Sequence, residues 1–243
     1  MTASTGRVGI MQPYFFPYLG HFALVAQTDH WMVFDITQYT PKTWMNRNAV
    51  LHPNGGRNWI SVPLRNGGIS IKTHEARILD VAAARRTVLG KLTHYKRHAP
   101  FYRDVITLVE RAFAMPEADC SLVHLNVHGL VSVCDHLGLP FRYQICSEAQ
   151  WDLPTDLGPG DWALHICRQI GATHYLNPAG GRHLFDPQAY REAGIEIEFL
   201  EMEPFRYATE PYVFEEGLSI LDVLMWNDPA VVRQALRDCS RIV

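Results

Sequence analysis

The chain has 243 residues, 47% of them hydrophobic, enough to bury a sizeable core in one large domain. Its 22 Lys and Arg against 25 Asp and Glu leave a net charge of −3, which argues against a general nucleic-acid-binding surface. No apolar run approaches the roughly 20 residues of a membrane span, and five scattered cysteines without a CxxC pair fit a reduced, cytoplasmic protein with no secretion signal.

In chain order, Val8–Met11 is a short apolar run suited to a buried strand, and Gln12–Pro13 breaks it. A crowded aromatic and proline turn follows, then a helix opening at Gly20–His21, then a second apolar strand, Trp31–Phe34, ending at Asp35. The polar segment 36–58 is too long and too rich in breakers to be a simple connection, which marks it as functional. Trp59–Leu64 reads as an edge strand because of Pro63, and Ile69–Leu79 as one or two more strands. Helical signals cover 82–98, 101–114 and 119–137, the last stopped by Gly138. Beyond them come a strand at 141–146, a helix at 162–170, a strand at 173–176, a helix at 187–193 and a strictly alternating strand at 195–200. Ser219 with Asp222 three residues on approximates a reciprocal capping box, and Asp228–Pro229 opens a last helix.

This rhythm predicts a single α/β domain over 1–243: a doubly wound, mostly parallel sheet of about five strands, Rossmann-like, with an embedded helical section at 82–137. Ligands bind such sheets at the carboxyl ends of the strands, where Gln12 and Asp35 fall. The amide of Gln12 either reads a ligand edge or satisfies turn backbone. Tyr14 and Tyr18 are candidates to stack on a base or sugar, while Phe15 and Phe16 belong to the core. Gly20 and His21, at a helix start, suit a phosphate, with a surface or capping histidine as the competing account. Asp35 is a candidate to orient an amine, hold a ribose or act as a base, with Gln38 beside it. In the polar segment, Asn46-Arg47-Asn48 and the Trp44 ring form a second candidate group, Arg47 having the fork that suits carboxylate or phosphate. Asn177, Gly180 and Gly181 sit in a turn after a strand, either an anion-binding nest or a plain turn. Asn126 lies on the apolar face of its helix, bracing the core or reaching the site. The pairs His94/His98 and His124/His128, the latter with Cys120 on the same stripe, lack an HExxH motif or a cysteine pair, so no metal site is expected. The aromatic turn and the 46–48 segment are expected to converge around a small molecule.

With QPYFFPYLGHF, FDITQY, WMNRN and LSILDVL, the chain resembles the WbqC-like family over nearly its whole length. The positions that carry this likeness are Gln12-Pro13-Tyr14, Pro17-Tyr18, Asp35, Asn46-Arg47, Tyr175 to Gly181 and Ser219/Asp222. The genes of that family are associated with surface-polysaccharide and natural-product pathways. The resemblance implies acyl or aminoacyl attachment to an amine such as an amino sugar. The opening unit is also similar to the first unit of the adenylate-forming nucleotidylyl-transferase superfamily, which includes pantothenate synthetase. There Tyr18-Leu19-Gly20-His21 stands at the HxGH motif, with tyrosine at its first histidine. That likeness implies ATP with Mg as the activating cosubstrate and places Asn177–Arg182 towards phosphate. The expected roles are then His21 and Arg47 countering developing charge, Asp35 positioning the amine and Gln12 orienting the donor. A pre-activated donor, aminoacyl-tRNA, is the variant without ATP. It needs a local basic groove, for which Arg85, Arg86, Lys91, Lys96 and Arg97 are available if they are not simply a solvated helix face. Competing classes are a glycosyltransferase using a nucleotide sugar, although no DxD motif is present, and a noncatalytic sugar-nucleotide or amine-binding protein.

Overall fold

The structure, a computed structural model, describes residues 6–116 and 118–243. In chain order it contains β1 (Arg7–Met11), α1 (Leu19–Ala26), β2 (His30–Val33), β3 (Arg47–Leu51), β4 (Arg57–Ser61), α2 (Val81–Leu92), α3 (Tyr102–Ala112) and α4 (Leu122–Leu137). There follow β5 (Tyr143–Ile145), α5 (Asp161–Ile170), β6 (His174–Pro178), α6 (Pro187–Glu192), β7 (Glu196–Met202), α7 (Ile220–Trp226), α8 (Pro229–Asp238) and β8 (Ser240–Ile242).

Six strands form one sheet in the order β5-β2-β1-β6-β7-β8. The first five are parallel, and β8 closes the far edge antiparallel to β7. The five strands expected from the sequence are all present, and the mostly parallel α/β architecture is Rossmann-like. Period-two alternation sorts their side chains into two cores. Val8, Ile10, Met32 and Tyr175 pack with α5 and α6, while Trp31, Val33 and Leu176 face the larger core that holds α1, the other helices and the β3–β4 hairpin. Both faces are therefore covered at the centre of the sheet, which is why β1 and β2 read as near-continuous apolar runs. Gly9 is required where it stands, because a Cβ there would lie 2.6 Å from the Trp31 ring on the neighbouring strand.

Chain direction around the sheet reverses between β1 and β6, since β2 and β5 lie on one side of β1 and β6 and β7 on the other. The carboxyl ends of β1 and β6 flank this switch point, the usual ligand position in open α/β sheets.

Three local expectations are corrected. The segment 69–79 forms no strand: it contributes one 3₁₀ turn, Thr73–Glu75, and single bridges. The Glu75 carboxylate accepts from the Lys72 backbone N–H at 2.6 Å and so closes the turn. The polar segment holds strand β3, paired with β4 across a turn in which Gly55 and Gly56 both adopt positive φ. Thus β3, β4 and α2–α4 together form the crossover from β2 to β5. Finally, Ser219 caps α7 by accepting from the Leu221 N–H, but the Asp222 side chain does not return to the cap; it turns into the core.

Candidate functional site

Two cavities open at the carboxyl edge of the sheet. The larger is a groove of about 750 Å³ beside the switch point. Tyr18 to Gly20 at the start of α1 form one wall, Pro178 to Gly180 after β6 another, and the end of β7 with the segment 214–218 the rest. Its charge is strongly unbalanced. Glu201, Glu203, Glu215 and Glu216 line it against the single cation Arg241. Arg241 is paired with Glu201 at 2.6 Å, and Arg206 with Glu216 at 2.5 Å. Among the described residues, Glu203 and Glu215 have no ion-pair partner. Aromatic rings complete the lining: Phe205 and Phe214 both pack on Tyr207, with ring centres 5.4 and 5.1 Å away.

Tyr207 is anchored from behind. Its hydroxyl donates to the buried Asp222 carboxylate, which also accepts from the Tyr95 hydroxyl and from the Leu51 N–H at 3.1 Å. Burial pushes the Asp222 carboxyl up from the ordinary carboxylate range even against these hydrogen bonds, and it pushes the Tyr207 hydroxyl far up as well. One carboxylate at the first turn of α7 thus ties the groove wall to β3 and to the turn after α2.

The smaller cavity, about 300 Å³, lies at the ends of β2 and β5. Asp35 forms its floor, with Oδ1 accepting the Ser147 N–H at 2.9 Å and Oδ2 the Ser147 hydroxyl at 2.5 Å. His74, Arg77, Asp119 and His124 surround it. Burial pushes the Asp35 carboxyl up, with the Ser147 bonds opposing. Asp119 is held below the usual range: burial opposes ionisation, but the Ser121 N–H and His124 outweigh it.

The sequence profile of the WbqC-like protein family matches residues 12–234. The chain belongs to this family. It is also similar, at 26% identity over 236 residues, to the uncharacterized protein Rv1507c of Mycobacterium tuberculosis, an alignment covering 97% of this chain and 99% of that protein. No solved structure matches the chain significantly. The WbqC-like span contains all of the smaller cavity and all of the groove lining except Arg241.

Of the residues singled out in the sequence, Tyr18, Gly20 and Gly180 line the groove, and Asp35 lines the smaller cavity. His21 does not face a ligand. α1 is buried on every side from Leu19 to Val25, and the His21 ring packs 5.0 Å from Trp31 with neither ring nitrogen hydrogen-bonded. Desolvation lowers its pKa to about 3, so it is a neutral core side chain and cannot counter developing charge. Tyr14 lies half-buried 5.8 Å from the His21 ring, its hydroxyl pushed up by burial and by Tyr18. Gln12 is half-buried beside it at the end of β1.

The aromatic turn and the 46–48 segment do meet in this WbqC-like fold, but directly, leaving no room for a ligand between them. Asn48 Nδ2 donates to the carbonyls of Phe15 and Phe16, and the Phe15 N–H donates to the Trp44 carbonyl at 2.8 Å. Asn126 braces the same junction through the carbonyls of Pro13 and Met45. Asn46 donates to the Val62 carbonyl and Gln38 to that of Ile69. Arg47 lies 4.6 Å over the Trp59 ring, which stacks on Trp44; this exposed ladder borders neither cavity. Asn177 accepts from the Tyr175 hydroxyl and donates to the Pro178 carbonyl, and its amide fills the space above Gly181. The turn is therefore braced by a side chain rather than left open to an anion. The residues passed over in the sequence are Arg77, Asp119 and Ser147 of the smaller cavity and, in the groove, those of 201–217, where EMEPFRYATEPYVFEEG overlaps the end of a strand and combines glutamates with aromatic rings. That combination was the available signal.

Proposed function

We propose that this WbqC-like protein is an enzyme that transfers an acyl or aminoacyl group to an amine, and that the groove beside the switch point holds the amine-bearing acceptor. The observation that carries the reading is the groove's lining: four glutamates, of which Glu201 and Glu216 are paired with Arg241 and Arg206 and Glu203 and Glu215 have no ion-pair partner among the described residues, beside three core-anchored or neighbouring rings. Carboxylates and aromatic faces together attract an ammonium group. They repel a triphosphate or the diphosphate of a nucleotide sugar, which disfavours both ATP in this groove and the glycosyltransferase reading. In the reaction, a glutamate without an ion-pair partner, Glu203 or Glu215, takes the proton from the bound ammonium. The freed nitrogen attacks the acyl carbon, the amide C–N bond forms, the activating group leaves with the bonding pair, and the proton remaining in excess on nitrogen passes to the leaving group or to water. The activating group comes from ATP with Mg, acting on a carboxylic acid outside the groove, or from a pre-activated donor such as aminoacyl-tRNA. Both donors are cytoplasmic.

Calorimetry with an amino sugar and the matching sugar bearing hydroxyl in place of amine tests the acceptor class. The amino sugar binds more tightly, binding weakens with added salt, and E203Q and E215Q each reduce it by about tenfold. Mass spectrometry of reactions supplied with amino acids and ATP, or with charged tRNA, then reads the amide product. Equal binding of the two sugars, or consumption of a nucleotide sugar, overturns the reading.

A further inference from the structure

The smaller cavity carries two opposite charges that do not neutralise each other. Arg77 is half-buried and fixed: its Nη1 donates to the main-chain carbonyls of His74 and Ala76, at 2.7 and 3.2 Å. Among the described residues its remaining guanidinium N–H groups have no partner, and no carboxylate lies within ion-pair distance of it. The same cavity is lined by Asp35, wholly buried, its carboxylate accepting from Ser147 and from its own N–H, and by Asp119, bonded to the Ser121 N–H and to His124. Each carboxylate keeps free lone pairs, since an ionised carboxylate accepts about four hydrogen bonds. His74 is held in place by its N–H and its Nδ1, both directed at the Asp35 carbonyl oxygen.

A simple anion in this space meets two carboxylates, and a simple cation meets the arginine. A zwitterion satisfies both ends. At about 300 Å³ the cavity is at the small end of ligand sites, suited to a compact molecule. We propose that it binds a free α-amino acid, with the carboxylate on the unused guanidinium N–H groups of Arg77 and the ammonium on Asp119, the buried Asp35 adding negative charge from beneath. The fork of Arg77 suits a carboxylate, and its two main-chain anchors pre-orient it. The site rests on the transfer reading only for its role: it names the class of the donor acid, held on the same carboxyl edge of the sheet as the acceptor groove. The binding itself is measured without turnover.

The test is calorimetry of the full chain against a panel of the standard amino acids. For the tightest binder, its N-acetyl derivative and its carboxamide are then compared with it. The amino acid binds, and each derivative, lacking one charge, binds at least about tenfold more weakly. D119N and R77K each weaken binding by a similar factor. Arg77 also supports the main chain, so urea midpoints accompany both variants, and Asp119→Asn, which keeps an oxygen for the Ser121 N–H, decides the matter if Arg77→Lys does not fold. A saturating amino sugar in the groove does not displace the amino acid. Failure of every amino acid to bind, derivatives that bind as well as the parent, or displacement by the amino sugar overturns the proposal. The two readings fail separately. Amino-acid binding that D119N weakens, with no amide product, leaves this site standing and removes the transfer reading. Amide formation from a charged tRNA without any binding of free amino acid does the reverse.

Discussion

The Tyr207 hydroxyl donates to Asp222 Oδ2 at 2.6 Å, so a ring in the groove wall is fastened to a carboxylate that has no contact with solvent. Tyr207→Phe removes one of the bonds that make a buried carboxylate tolerable. The expected loss is about 1–3 kcal/mol in urea unfolding. The ring also loses its fixed orientation between Phe205 and Phe214, so amine binding in the groove weakens. An unchanged urea midpoint would show that Asp222 is satisfied without it.

His21 makes stability depend on pH. Its folded pKa, about 3, lies below the unfolded value of 6.5, so the unfolded chain takes up a proton that the folded chain refuses. The stability involved is present above pH 6.5 and is lost as the pH falls towards 3. At pH 5 the loss amounts to about 2 kcal/mol relative to pH 8. His21→Phe keeps an aromatic ring against Trp31 and removes this term. The variant is expected to show a flatter profile between pH 8 and pH 5 by urea denaturation, and to retain groove binding. Loss of catalysis with binding and stability intact would return His21 to the reaction.

Asn48 holds together two chain segments far apart in sequence. Its Nδ2 serves the carbonyls of Phe15 and Phe16, and Phe16 sits at a φ of 40°, a conformation that side-chain-bearing residues rarely adopt. Asn48→Leu preserves size but leaves those carbonyls short of donors, although the Ser219 hydroxyl still reaches that of Phe16 at 2.7 Å. A destabilisation of about 2–4 kcal/mol is expected, read from the denaturation midpoint.

Gly20 separates groove geometry from folding. A Cβ there would lie 2.4 Å from the Tyr18 ring, which is 41% exposed and free to swing outwards. Gly20→Ala therefore displaces Tyr18 from the groove wall. Folding stability stays level or rises by up to about 1 kcal/mol, because alanine is the better helix former. Amine affinity in the groove falls by about tenfold. Equal affinity in the variant would mean that Tyr18 takes no part in binding.

Much of the architecture was readable because it depends on local pattern. The apolar runs at 8–11 and 31–35 and the alternating segment 195–200 all form strands, and Gly138 adopts the left-handed conformation that ends α4. Strand β3 was missed, because its Arg47 and Asn48 and the polar residues around it hide the short apolar run Ala49–Leu51, and pairing with β4 across residues 52–56 is what makes it a strand. The short strand β8 had no local signal either, since three residues at the chain end become a strand only by pairing with β7. Asn126 declared a bracing or reaching role by its place on an apolar face, and the carbonyls of Pro13 and Met45 decide for bracing.

By itself the sequence determined the layered α/β class, the five parallel strands and most helix ends, because periodicity, turn chemistry and capping act over a few residues. Tertiary structure alone decided which side chains meet at the carboxyl edge of the sheet. His21 was carried into the core by a helix buried all round, and the asparagines of the polar segment were consumed in holding the aromatic turn. The glutamates of 201–216 reached the start of α1 only because β6 and β7 lie on the far side of the switch point. Proximity of that kind comes from strand order, and strand order is set by how two large cores close over the sheet, an outcome that no window of neighbouring residues encodes.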